Sequence, residues 1–191
     1  MDPIFEEKVY RFFETEIPTV LKEMDYRILD ASICKGVTPY HEKETKFLLI
    51  NHDLVIDGVD LFSGNDAFDI QRIALKFGAR MPRAHEWRLI AFWITYGGEY
   101  VKKFGFVHRG HTWENTDIPQ TQDKAAYYWS SSRNHGNDQE MRAIRVFDDG
   151  QFDTPYRPKG EKMGVRMIIL PELLKKLSDA KKILDAPIPL T

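Results

Sequence analysis

Two imidazoles three residues apart, His108 and His111 in "HRGH", are the first side chains whose type and spacing could do chemistry. On a helix they would share a face and could meet on one metal ion. The glycine between them and the absence of a helical period nearby argue against that, and zinc needs three or four converging ligands. Ser130, Ser131 and Ser132 offer hydroxyls, yet no glycine-x-serine-x-glycine elbow and no histidine–acid partner accompanies them. Hydrogen bonding at a strand end is their expected role. Glu42, Glu44 and Asp57 form no recognisable carboxylate pair. Cys34 is the single cysteine, so no internal disulfide or multi-cysteine metal site is possible, and it reads as a small apolar residue. The expectation is no catalytic residue, no metal and no cofactor, with the balance leaning against an enzyme.

The unusual chemistry lies in "YYWSSSRNHGND", residues 127–138, where aromatic residues that favour burial run into side chains that favour water or a ligand. Bulk properties narrow what such a surface could meet. A chain of 191 residues, 42% hydrophobic and 29% charged, can bury one core, and its net charge of -2 draws it to neither nucleic acid nor an anionic membrane. No stretch approaches the roughly 20 apolar residues of a bilayer span. The start, "MDPIFEEKVYRFFETE", carries acids where a secretory signal would carry lysines. The chain is expected to be soluble, cytoplasmic or virion-associated.

The elements that must hold this surface can be read in order. Asp2 and Pro3 are a helix cap and first residue, followed by Ile4, Phe5, Val9, Phe12 and Phe13 at helical spacing. Pro18 should kink or restart that helix, with Val20, Leu21 and Met24 in a second turn. "KFLLI" and "DLVIDGVDLF" read as short strands punctuated by Gly58. A helix follows with Asn65 or Asp66 as cap, Phe68, Ile70, Ile73, Ala74 and Phe77 as its apolar face, and Gly78 as its stop. A further helix is expected from Pro82, through Glu86, Trp87, Leu89, Ile90 and Trp93, to Gly97 and Gly98. Residues 99–124 are polar and aperiodic, long enough to suggest short strands or an ordered excursion within them. Strands are expected at 126–131, 141–147 and 164–170, with "DDGQ" (148–151) as a tight turn. A last helix starts at Pro171, with Leu173, Leu174, Leu177 and Leu184 on one face and Lys175, Lys176, Lys181 and Lys182 on its wet face. This is one domain (45–170) with an N-terminal helical extension (1–44) and a C-terminal helix and tail (171–191).

Three segments in order resemble known families. "GARMPRAHEW" (78–87) is similar to the helix start of formylglycine-generating-enzyme-like proteins, the sulfatase-modifying-factor superfamily. "YWSSS" (128–132) and "GVRMI" (164–168) resemble the Fibrobacter succinogenes major paralogous domain family, and "RVFDDGQF" (145–152) falls where that family has strand, turn and strand. The resemblance implies an α+β, C-type-lectin-like fold: two helices flanking short, twisted, mostly antiparallel sheets. It also implies scaffold roles for Arg80, Pro82, Glu86, Trp87, Trp129 and Arg166. Trp87, Trp129 and the 164–168 strand are expected in one interior, with Glu86 and Arg166 at its edge, paired with each other or with backbone. The families' threonine cap is Arg83 here, so a cap bond must come from elsewhere. The copper-binding cysteine pair of formylglycine-generating enzymes is absent, which excludes that activity. "TWENTD" (112–117) resembles the tryptophan-asparagine-aspartate calcium motif of lectins, but it lies upstream of the lectin position and lacks the glutamate-proline-asparagine companion.

Such a scaffold carries ligand contacts on its later loops. Here those are Arg133, Asn134, His135, Asn137, Asp138, Asp149, Gln151, Asp153, Tyr156 and Arg157. Arginine and tyrosine suit anchoring, and asparagine and aspartate suit adaptable hydrogen bonding. The expected function is non-catalytic recognition of a protein or glycan. The tract also resembles variable proteins of diversity-generating retroelements, whose adenine-containing codons change to alter binding. The alternatives are a structural subunit of a phage or cell surface, forming a homo-oligomer through its terminal helices, and a diverged enzyme of the formylglycine-generating superfamily.

Overall fold

A computed structural model of the chain describes residues 2–23, 26–30, 46–50, 52–96, 125–134, 136–147 and 152–170. Cys34, Glu42, Glu44, Gly97, Gly98, the 99–124 segment with His108, His111 and "TWENTD", the 148–151 turn and the helix expected from Pro171 lie outside the described residues.

The described residues form three α-helices and antiparallel sheets. Helix α1 (Pro3–Glu23) begins as the sequence predicts, with the Ile4 N–H donating to Asp2 Oδ1 at 3.1 Å. It does not restart at Pro18 but runs through it. The proline is exposed, so the carbonyl it leaves unserved one turn earlier lies on the wet side, while Val9, Phe13, Ile17 and Val20 hold the helix by their burial. Two ties anchor α1 further: Glu16 meets His52 at 2.7 Å, and Lys8 meets Asp57 at 2.6 Å.

Strands β1 (Tyr26–Asp30), β2 (Lys46–Ile50), β4 (Ala79–Arg80) and β10 (Ile168–Ile169) make one sheet in the order β1-β2-β10-β4. Strands β5 (Ala125–Arg133), β6 (Glu140–Phe147), β7 (Phe152–Asp153) and β8 (Tyr156–Pro158) make another, with β5 on one side of β6 and β7 and β8 on the other. Strands β3 (Phe62–Ser63) and β9 (Lys162–Met163) form a short pair, and Tyr128 bridges in parallel to Gly164. Most of "DLVIDGVDLF" is not strand. Ile56 and Val59 exchange both backbone hydrogen bonds at 2.9 Å around Asp57 and Gly58, which have φ of 50° and 77°. Two consecutive positive φ values are what a two-residue aspartate–glycine hairpin requires.

Helix α2 (Gly64–Ala74) is capped by Ser63 rather than Asn65 or Asp66: its Oγ accepts from the Asp66 N–H at 3.2 Å and donates to the Asp66 carboxylate at 2.7 Å. Gly64 sits too close to Lys159 for a side chain, since an added Cβ would lie 2.9 Å from the Lys159 Cα. A 3-10 turn (Leu75–Phe77) and left-handed Gly78 close the helix, as expected of that glycine. Helix α3 (Ala84–Tyr96) starts two residues after Pro82.

The two indoles do not share an interior. Trp129 joins an apolar cluster with Val9, Phe13, Ile17, Ile70 and Ile73 of α1 and α2, and Trp87 joins a second with Leu89 and Ile90 of α3. Alternation along the strands explains the separation. Leu48 and Ile50 face the first cluster while Phe47 and Leu49 face the second; Trp129 faces the first while Tyr128 faces the second; Val165, Met167 and Ile169 face the first while Ile168 faces the second. These strands therefore divide the two clusters and are covered on both sides, which is why "FLLI" (47–50) and "MII" (167–169) read as unbroken apolar runs. The clusters are coupled by hydrogen bonds: Trp87 Nε1 donates to the Trp129 carbonyl at 3.1 Å, and Trp129 Nε1 to the Phe62 carbonyl at 2.7 Å.

Arg166 is 1% exposed and Glu86 1%, so both lie inside rather than at an edge, and they do not pair with each other. Arg166 donates from Nη2 and Nε to Asp53 Oδ1 at 2.6 and 2.9 Å, and the Tyr128 hydroxyl donates to Asp53 Oδ2 at 3.0 Å. The Arg166 guanidinium lies 5.3 Å from the Tyr128 ring centroid. Gly164 permits this packing: an added Cβ would meet two Tyr128 ring carbons at 2.9 Å. Replacing Asp53 with Ala should cost about 3 to 5 kcal/mol, because a buried arginine loses its anion. Gly164→Ala should cost about 1 to 3 kcal/mol through overpacking against Tyr128. Urea denaturation measures both, and a loss below about 1 kcal/mol in Asp53→Ala would show that the pair is not what holds these segments.

Candidate functional site

The start of α3 is assembled from distant pieces. Arg83 holds the cap position with no side-chain cap of its own, and two other groups serve the open N–H donors. Glu86 reaches back to accept the Arg83 N–H at 2.7 Å, and Ser132 Oγ, from the end of β5, accepts the Ala84 N–H at 3.0 Å. The Glu86 carboxylate also takes both ends of the Arg80 guanidinium, at 2.6 and 2.7 Å. Ser131 adds a backbone bond to the Pro82 carbonyl at 3.0 Å, and Ser130 Oγ accepts from the Ser132 N–H at 3.0 Å. The serine run is thus structural, as the sequence predicts, and it supplies the missing cap.

His85 sits within this junction. Burial pushes its imidazole below the ordinary value, Glu86 opposes that shift, and Arg83, Arg80 and Arg88 add to it.

The β5–β6 connection displays the expected polar front. Residues 136–139 are exposed, Asp138 among them. Asn134 and Asn137 shape the turn themselves: Asn134 Oδ1 accepts the Gly136 N–H at 3.0 Å, and Asn137 Oδ1 accepts the Gln139 N–H at 2.9 Å. Asn134 Nδ2 also donates to Glu140 at 3.0 Å. His135, Asp149 and Gln151 lie outside the described residues, as does the side chain of Arg133.

The remaining candidates divide between the two ends of one strand. Tyr156 and Arg157 of β8 stand opposite Arg142 and Met141 of β6, beside the 134–140 turn, so the structure brings them together with Asn134, Asn137 and Asp138. Asp153 of β7 stands opposite Arg145, three residues along β6 and so about 10 Å away. It is held there by the Arg145 guanidinium, with Nε–Oδ1 at 3.1 Å. Arg157 donates to Glu161 at 2.9 Å; burial raises the Glu161 carboxyl above its usual range, and Arg157 partly offsets this. Tyr156 is 41% exposed and stacks on Arg142, whose guanidinium carbon lies 4.3 Å from the ring centroid. Arg142 was not apparent from sequence. Its only signal is that, like Arg145, it interrupts the apolar residues of that run.

Among the described residues no group of three His, Cys, Asp or Glu side chains could hold a metal ion, and no helix is long and apolar enough to cross a membrane. Comparison with known protein families, with curated proteins and with solved structures gives no match.

Two outcomes follow from the α3 junction. Ser132→Ala should destabilise the fold by about 1 kcal/mol, the usual value of a helix cap, read by thermal or urea unfolding. Because His85 takes up a proton less readily folded than unfolded, its contribution is fully present above the ordinary value of 6.5 and is lost as pH falls below it. Stability curves from pH 7 to 5 should therefore slope less in His85→Gln than in wild type, and identical slopes would remove His85 from the account.

Proposed function

We propose that this chain is a non-catalytic recognition module with a C-type-lectin-like scaffold, taking a protein or glycan ligand on the end of the sheet formed by the 134–140 turn and β8. The observation that carries this reading is Tyr156, a large aromatic side chain left 41% exposed on a paired strand and stacked on a guanidinium. Exposed tyrosine beside arginine is the composition of binding hot spots. Beneath it the strands are buried on both sides, so the surface rests on a rigid support.

The motif residues support the scaffold half of the reading. Gly78, Arg80, Pro82 and Glu86 build a helix start, Trp87 and Trp129 bond across the strands, and Gly164 and Arg166 fit Tyr128 and Asp53. Each is committed to holding the fold and none to reacting groups. The apolar stripe of α1 is buried on this chain itself, which weighs against the assembly alternative in which that helix packs on a neighbour.

The test is an Asp138→Ala, Tyr156→Ala double variant compared with wild type on a glycan array and a panel of immobilised proteins. The expected result is unchanged thermal stability with loss of whatever wild type retains. A variant that folds and keeps every wild-type ligand would place recognition elsewhere.

A further inference from the structure

Arg142 differs from the other arginines around this surface. Arg145 has Asp153, Arg157 has Glu161, and Arg88 donates to the Thr154 hydroxyl at 3.0 Å. Among the described residues no carboxylate pairs with Arg142, and its Nε is buried without a hydrogen-bond partner. A guanidinium stays charged at any ordinary pH, and a partly buried cation without an anion is unfavourable unless something completes it. The facing strand carries a second unmet group. Between Trp129, opposite Ala143, and Arg133, opposite Met141, three serines stand against Arg142 alone, and the Ser131 hydroxyl in that bulge is also buried without a partner. Both atoms are closed to solvent, so an outside ligand would have to meet the outer guanidinium nitrogens of Arg142, while the bulge sets where the facing serines lie.

The ion pairs Arg145–Asp153 and Arg157–Glu161 neutralise themselves, which leaves Arg142 and Arg88 beside the acids Glu140 and Asp138. Arg88 reaches Thr154, two residues from Tyr156, and so brings a second guanidinium to the same border. The acid nearest along this face of β6, Glu140, is two residues away and already accepts from Asn134. We infer that Arg142 is the anchoring position for a carboxylate borne by an acidic segment of a partner protein. This rests on the recognition reading and gives its ligand a chemistry. A carboxylate matches the planar guanidinium fork, which can bind both oxygens at once. A protein segment fits better than an acidic sugar because β8 is an edge: among the described residues it pairs only with β6. Although Pro158 has no N–H and its carbonyl accepts from Glu161, the Tyr156 N–H and carbonyl face outward where an extended peptide can bond to them.

The probe is a fluorescein-labelled hexaglutamate peptide, followed by anisotropy at low salt against wild type, R142Q, R142K and Y156A. Hexagalacturonate, which presents carboxylates on a sugar, serves as the second ligand, and circular dichroism checks that each variant is folded. Wild type should bind the peptide, R142Q should bind at least about tenfold more weakly, and R142K should fall between them. The Arg142 Nε–H resonance should shift on peptide addition, and hexagalacturonate should bind at least about tenfold more weakly than the peptide. No binding by wild type, equal binding by R142Q, or equal or tighter binding of hexagalacturonate each overturns the inference. If R142Q matches wild type while Y156A loses binding, the recognition surface stands and the carboxylate does not. If both variants match wild type, neither stands.

Discussion

The structure depends on one buried ion pair. Asp53 and Arg166 are both inside the protein, 113 residues apart in sequence, and a tyrosine hydroxyl on a third segment completes the carboxylate. A buried pair of this kind adds little net stability over a well-packed apolar substitute, because both ions are removed from water. Its effect is on arrangement. Any register of β2, β5 or the 164–170 segment that separates these groups leaves a bare charge in a dry interior, so competing pairings are strongly disfavoured. Backbone bonds from Leu54 to Val165, at 2.8 Å, and from Trp129 to Gly164, at 3.0 Å, follow from the same alignment.

That alignment explains the division into two apolar clusters. Strands fixed against one another in the middle of the protein must find cover on both sides, and the chain supplies it with α1 and α2 on one side and α3 on the other. The paired tryptophans then act as ties through the sheet layer rather than as a shared centre. Each indole N–H reaches a backbone carbonyl, which meets the usual requirement of a buried tryptophan while joining the two sides.

Much of this was legible in the residues. The Asp2 cap, the Gly78 stop and the strands at "KFLLI" and "YYWSSS" follow from local rules, since each depends on its neighbours. Asp53 did not stand out because it is a lone acid between two apolar runs, and its partner lies far along the chain. The Ser63 cap was obscured because "SGND" offers three competing cap residues, and the serine is the one whose Oγ meets the Asp66 N–H. The single interior expected for Trp87 and Trp129 failed for a related reason: a doubly covered strand reads as continuous apolar sequence, and its period of two is masked. Within the candidate surface, composition singled out Tyr156 and Asp138, and both are exposed. It could not show that Asn134 and Asn137 turn inward on their own loop, or that no acid among the described residues pairs with Arg142.

The hydroxyl that serves the first turn of α3 belongs to Ser132, 48 positions downstream of Ala84. On a ribosome, that helix emerges well before the strand that finishes it. Until β5 docks, water must satisfy the Ala84 amide, and a helix of 13 residues is marginal on its own. Vectorial synthesis therefore cannot complete this half of the molecule in order of appearance; α3 becomes secure only when later chain folds back over it.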